Sequence, residues 1–130
     1  MTGNEITIRV PYADTDQMGM VYYANYLVYF ERGRTEWLRQ RGFSYRELEK
    51  DGYYLPVIEC FCKYHSPARY DELIKISTAL SSVGSASVEF EYEITEGSRL
   101  IATGKTKHPF VNKALKPVRI PADVKKVLTE

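Results

Sequence analysis

Cysteine and histidine are scarce in this chain, with two of each among 130 residues. Cys60 and Cys62 stand two apart in a segment that reads as a strand. Side chains at that spacing share a face but are held too far apart for an easy disulfide. So few thiols and imidazoles also argue against a structural zinc site. An excess of one charge is missing as well: 18 Lys and Arg against 17 Asp and Glu leave a formal net charge of +1. That balance lacks the basic surplus of a nucleic-acid binder. No apolar run approaches the ~20 residues that span a bilayer, and the N-terminal residues carry no signal-peptide pattern. The expectation is a cytoplasmic protein in a reducing setting, with no nucleic-acid partner and no membrane span. Repeats, low-complexity tracts and linkers are absent too, so residues 1–130 read as one domain.

What the chain does have is tyrosine, 11 against five Phe and one Trp. A phenol combines apolar area with a polar tip, which suits a tyrosine-rich core or an interface equally.

Ile6, Ile8, Val10 and Tyr12 alternate with polar residues, predicting a half-buried strand that Pro11 brings to an end. A helix of about five turns is predicted over Tyr23–Arg41. Its apolar stripe is Tyr26, Phe30, Gly33 and Trp37, joined by Leu27 and Leu38. Gly33 in mid-helix costs about 1 kcal/mol relative to Ala, and its place on the stripe predicts a close approach to a sheet. Gly42 supplies a stop. Ser44 and Glu47 form an S-x-x-E capping box, flanked by a Phe43/Leu48 staple, so a short helix starts there and ends at Gly52.

Leu55 to Tyr64 carries apolar residues on both faces and reads as a strand covered on both sides. After a turn at Ser66–Glu72, a strand is predicted over Leu73–Val83. Val88, Phe90, Tyr92 and Ile94 then alternate with Glu89, Glu91 and Glu93, the clearest one-face-buried strand here. A turn at Glu96–Ser98 leads into Leu100–Val111. Pairing Ile94 with Leu100 would set Phe90 opposite Gly104 and Glu89 opposite Lys105. Pro121 opens a short C-terminal helix containing Val124, Val127 and Leu128. One long amphipathic helix followed by antiparallel strands predicts an α+β fold, a sheet wrapped around that helix.

The chemistry concentrates in Tyr12–Tyr26, YADTDQMGMVYYANY. Two carboxylates, Asp14 and Asp16, precede a helix start. Such an acid can satisfy turn amides. It can also stand beside a substrate carbonyl polarised by helix N–H groups. Met18, Met20 and Val21 would desolvate a nearby carboxylate and favour its use as a base. Glu31 and Glu36 on the long helix are weaker candidates for a catalytic acid, their alternation with Arg matching a solvated face. His65 and His108 sit in no metal-spaced or Ser/His arrangement and read as polar packing. Lys63, Arg69 and Lys107 could meet phosphates, with surface solvation the simpler reading.

The run Y-x-D-T-D-x-x-G-x-V-Y-Y-x-N-Y, with F-E-R-x-R-T-E-W (Phe30–Trp37) and S-P-A-R-Y-D-E, resembles the hot-dog-fold acyl-CoA thioesterases. More narrowly it resembles the 4-hydroxybenzoyl-CoA thioesterase family and its Tol–Pal-associated relatives. The resemblance implies a five-stranded antiparallel sheet around one central helix, and hydrolysis of an acyl-CoA to a free acid and coenzyme A. It implies no metal or redox cofactor, coenzyme A entering only as part of the substrate. It makes Asp16 the catalytic carboxylate, acting as nucleophile or as base on water, and Tyr23 the residue whose backbone N–H polarises the thioester carbonyl. Gly19, Val21, Tyr22 and Asn25 fall among the substrate-binding positions, Asn25 also as an orienter of the loop. Several bacterial relatives carry His at the Tyr23 position; a backbone role survives that difference and an imidazole role does not. Pockets formed between subunits imply a homodimer or homotetramer. An acyl carrier protein, as thioester donor or bound partner, is the alternative to coenzyme A. A hot-dog dehydratase fits less well, because neither His is placed to pair with an acid.

Overall fold

A computed structural model describes residues 3–130. Its strands are β1 (Gly3–Arg9), β2 (Glu59–Tyr64), β3 (Leu73–Val83), β4 (Ser87–Glu96) and β5 (Arg99–Pro109); its helices are α1 (Asn25–Gln40), α2 (Tyr45–Lys50) and α3 (Ala122–Thr129). The strands form one sheet in the order β1-β3-β4-β5-β2, and every pairing is antiparallel. The fold is α+β, with α1 in the concavity of the sheet.

The alternation read in β4 holds: Val88, Phe90, Tyr92 and Ile94 are all buried. They meet α1 through rings, Phe30 stacked on Tyr92 with centroids 4.4 Å apart and Trp37 edge-on to Phe90 at 5.4 Å. Gly33 makes the close approach its position predicts, since a Cβ there would collide with Thr78 Oγ1. The α1 stripe nevertheless differs from the prediction. Tyr29 and Arg34 are buried on it, while Leu27 is exposed. Arg34 is tolerated inside because phenols solvate it: its Nε donates to Tyr45 Oη at 3.2 Å and its Nη1 to Tyr92 Oη at 3.4 Å. A buried cation needs such partners to offset lost hydration. The Tyr92 and Thr106 hydroxyls lie 2.5 Å apart, and His108 continues the chain to Thr106 Oγ1 at 2.8 Å and to Leu55 O at 3.3 Å. His108 is thus core polar packing, and burial, then Arg34, lowers its pKa to about 4.

Three boundaries shift. The first strand runs from Gly3 to Arg9, not Ile6 to Tyr12, although Val10 still bonds to the 71–72 backbone before Pro11 stops the run. The long helix begins at Asn25 instead of Tyr23, because residues 22–25 close a turn with Asn25 N–H on Tyr22 O at 2.9 Å. Only Glu59–Tyr64 of the expected Leu55–Tyr64 strand is strand. It is an edge strand with Cys62 half-buried and the other five residues exposed, so the expected two-sided cover is not found in the single chain.

The β4–β5 register also departs from the expectation by two residues: Tyr92, not Phe90, faces Gly104, and Glu91, not Glu89, faces Lys105. The tight turn takes two residues, Gly97 and Ser98, and Ile101 is bulged between Leu100 and Ala102, each adding one to the offset. The same types of pair form in the observed register, an acid opposite a lysine and an aromatic opposite a glycine. Glu91 and Lys105 form an ion pair at 3.5 Å, and Gly104 lies under an aromatic ring, that of Phe30. Ser44 Oγ accepts Glu47 N–H at 3.1 Å, as its capping sequence predicts. Pro121 caps α3, which buries Val124 and Leu128.

Candidate active site

Between β1 and α1 the chain makes a 3-10 turn at Tyr12–Asp14 and then a small loop closed by a Thr15–Val21 bridge. Asp16 ties this loop together. Its N–H donates to Met20 O at 2.8 Å, and its Oδ1 accepts Met18 N–H at 2.9 Å and Met20 N–H at 3.4 Å. Gly19 occupies the left-handed position of the turn, at φ +77°, where any other residue would be strained. Oδ2 of Asp16 has no protein donor among the described residues. One carboxylate oxygen is therefore fixed by amides and the other is available.

Asp14 is employed differently. Its Oδ2 accepts the Tyr29 phenol at 2.7 Å, and its carbonyl accepts both Asn25 Nδ2 at 2.9 Å and Tyr22 N–H at 2.8 Å. Asn25 turns its side-chain amide into these backbone contacts.

The Asp16 loop rests on residues 66–69. Val21 N–H donates to Ala68 O at 2.8 Å, Met20 bridges Arg69, and Ala68 N–H donates to Tyr26 Oη at 3.2 Å. That platform is braced in turn by Arg99, which reaches Pro67 O at 2.6 Å and Glu72 Oε2 at 2.8 Å. Glu72 also accepts Arg69 N–H at 2.7 Å. Sequence reasoning missed Arg99 and Glu72. Glu72 closes the S-P-A-R-Y-D-E run and Arg99 follows a tight turn, and only the tertiary fold brings the two together behind this loop.

A cleft of about 530 Å³ opens where the loop, the start of α1 and the end of β2 meet. Asp16, Met20, Val21, Tyr22 and Tyr23 line one side, and Tyr64, His65, Ser66 and Pro67 the other, with Tyr26 at the base. Met18 lines the rim and is 68% exposed, so it shields Asp16 little; Asp16 itself is half-buried. Tyr23 N–H, just before the helix, has no acceptor among the described residues. Its own carbonyl accepts the Tyr64 phenol at 2.9 Å. The structure thus brings Asp16, Val21, Tyr22 and Tyr23 to one cleft, while Gly19 and Asn25 shape the loop behind it.

The remaining candidates stand apart. Glu31 is exposed, 3.9 Å from Arg34, and Glu36 pairs with Arg39. His65 Nε2 lies 3.1 Å from Thr103 Oγ1. Lys107 pairs with Glu59 at 3.9 Å on the outer face of the sheet, which Lys63 shares. Arg69 alone of the three cations adjoins the Asp16 loop. A larger hollow, about 670 Å³, lies on that outer face among Glu5, Ser77, Glu91, Glu93 and Lys105. Two of its three carboxylates are paired across strands, Glu5 with Lys75 and Glu91 with Lys105, and it lacks a helix N-terminus. Among the described residues, no three His, Cys, Asp or Glu side chains are grouped to hold a metal, and no helix is long and apolar enough to cross a membrane.

A five-stranded antiparallel sheet wrapped round one helix is the hot-dog fold. The chain belongs to the thioesterase-like superfamily, whose profile matches residues 10–128. It is 34% identical over 125 residues to the acyl-CoA thioesterase YbgC of Haemophilus influenzae, covering 95% of this chain and 92% of that one. It is 35% identical over 94 residues to the acyl-CoA thioester hydrolase YbgC of Escherichia coli, covering 72% and 70%. Among solved structures, the DHNA-CoA thioesterase of Staphylococcus aureus superposes with a TM-score of 0.94 at 30% identity, over 99% of this chain and 90% of that one. This chain is a thioester hydrolase.

Proposed function

We propose that the protein hydrolyses an acyl-CoA to a free carboxylic acid and coenzyme A, with Asp16 as the catalytic carboxylate and Tyr23 N–H as the donor to the carbonyl oxygen. The observation that carries this reading is the pairing, in one cleft, of an unpartnered carboxylate oxygen with an unpartnered amide at a helix start. Both groups are held by surrounding hydrogen bonds, so little reorganisation is needed as charge develops. A preorganised donor to a developing oxyanion is worth about 100- to 1,000-fold in rate.

A thioester has a good leaving group. Asp16 can attack the carbonyl, breaking the C–S bond and leaving an anhydride for water to open. It can instead take a proton from water as the water attacks. Either route leaves the negative charge of the tetrahedral stage on the oxygen facing Tyr23 N–H. The reaction so written draws on no metal or redox cofactor.

The working unit in this reading is a homodimer or homotetramer. β2 is an unpaired edge bearing exposed Phe61 and Tyr64, with exposed Val57 and Ile58 just before it. An open apolar edge invites pairing with a second copy, and the cleft lies at that edge.

The test is thiol release from a panel of acyl-CoA esters, with acyl carrier protein esters of the same acyl groups in parallel. Faster turnover of the coenzyme A esters is expected. Cleavage confined to the carrier-protein esters would overturn the substrate assignment.

A further inference from the structure

We propose that Tyr64 is a positioning residue for the thioesterase site, its phenol fixing the peptide turn that presents Tyr23 N–H to the substrate. The proposal rests on the role assigned above to that N–H. The turn at residues 22–25 is clamped from three directions. Tyr22 N–H donates to Asp14 O at 2.8 Å, and Asn25 N–H donates to Tyr22 O at 2.9 Å. The third clamp is Tyr64 Oη on Tyr23 O at 2.9 Å, and it alone comes from another element of the sheet. The second holds the peptide that carries Tyr23 N–H, and the first holds the peptide before it. Tyr64 holds the next peptide, so Tyr23 cannot swing about its own φ and ψ.

The tie is built from a rigid ring. Tyr64 packs edge-on to Tyr26, with centroids 5.1 Å apart, and Tyr26 is buried at the base of the cleft. Burial, then the nearby Cys62, pushes the Tyr64 phenol up to about 12. The hydroxyl therefore remains a donor at any ordinary assay pH.

Tyr64 is also the last residue of edge strand β2. The amide that meets the developing oxyanion is thereby tied to the strand proposed to pair with a second copy.

The test compares wild type, Tyr64→Phe and a Tyr64→p-aminophenylalanine variant, with Asp16→Asn as reference, on one acyl-CoA ester. Tyr64→Phe keeps the ring and its packing on Tyr26 but loses the donor. The expected result is kcat about tenfold lower with KM within twofold, the pattern of an interaction realised in the transition state. The aniline N–H should restore most of kcat. A second readout is the infrared C=O stretch of a ¹³C-labelled thioester bound in an Asp16→Asn background. It should lie at higher frequency when Tyr64→Phe is added, because a misaligned amide polarises the carbonyl less. Unchanged kcat and stretch in Tyr64→Phe would overturn the proposal. So would a loss that tracks thermal stability and is not restored by the aniline. If the wild type cleaves and Asp16→Asn does not, a fully active Tyr64→Phe removes only Tyr64. If the wild type cleaves no acyl-CoA, the underlying function fails and this role fails with it.

Discussion

The Tyr29 hydroxyl donates to Asp14 Oδ2 at 2.7 Å, from a side chain that is 1% exposed. This contact separates the two aspartates that the sequence places side by side. Asp14 is bound into the base of the loop by α1, and Asp16 keeps one carboxylate oxygen without a protein donor among the described residues. Burial, then Asp14, raises the Tyr29 phenol well above its ordinary range, so it stays protonated and donating. Removing a hydrogen bond to a charged group costs about 1.5–3 kcal/mol. Tyr29→Phe should therefore lower the unfolding free energy by that order, and with it the urea midpoint, while lowering kcat far less than a change at Asp16. An unchanged midpoint would show that the contact does not anchor the loop.

His108 should make the stability of the protein fall with pH on the acid side. Its folded pKa, about 4, lies below the unfolded 6.5, so between those values the unfolded chain binds the extra proton. Its contribution is fully present above pH 6.5 and is lost as pH falls toward 4. The full span is on the order of 3 kcal/mol. Urea titrations at pH 7 and pH 5 should show a loss for wild type that is clearly smaller in His108→Gln, which cannot titrate. Equal losses in both proteins would place the pH sensitivity elsewhere.

Gly104 marks a close approach between sheet and helix. An added Cβ would collide with the Phe30 ring and lie 2.8 Å from the carbonyl oxygen of Phe61. Phe30 has no room to retreat, being stacked on Tyr92. Overpacking of this kind costs about 1–3 kcal/mol. Gly104→Ala should shift the denaturation midpoint accordingly, and a neutral result would mean the sheet can flatten locally.

Arg99 should affect turnover from behind the site. Its guanidinium bridges Pro67 O and Glu72, and residues 66–69 support the Asp16 loop. Small misplacements of a reacting group are costly in rate. Arg99→Ala is expected to lower kcat/KM on the order of tenfold, with faster hydrogen exchange at Val21 N–H. Arg99→Lys should recover little, because an ammonium cannot match the forked geometry. Protection of Val21 that survives Arg99→Ala would break this link.

Much of the fold was readable from periodicity and punctuation. The β4 alternation, the Ser44 cap, the Pro121 start and the place of Gly33 all express local rules. Non-local terms were not readable. Arg34 looks like a surface residue until Tyr45 and Tyr92 arrive from α2 and β4 to solvate it. The β4–β5 register depends on a bulge at Ile101 that no composition marks. At the site, the Asp-containing loop and the helix start were evident as a motif. The division of labour between Asp14 and Asp16 follows from Tyr29, fifteen residues beyond Asp14. Tyr64 enters from a strand 41 residues beyond Tyr23.

The role proposed for Asp16 is tested most directly by steady-state thiol release from a cleavable acyl-CoA, with Asp16→Asn beside wild type. Asparagine keeps the size of the side chain and an oxygen for Met18 N–H, so the loop should persist and KM should change little. The expected result is a fall in kcat of at least about 100-fold, the lower end for general acid–base catalysis. An Asp16→Asn enzyme that turns over within a few-fold of wild type would contradict it.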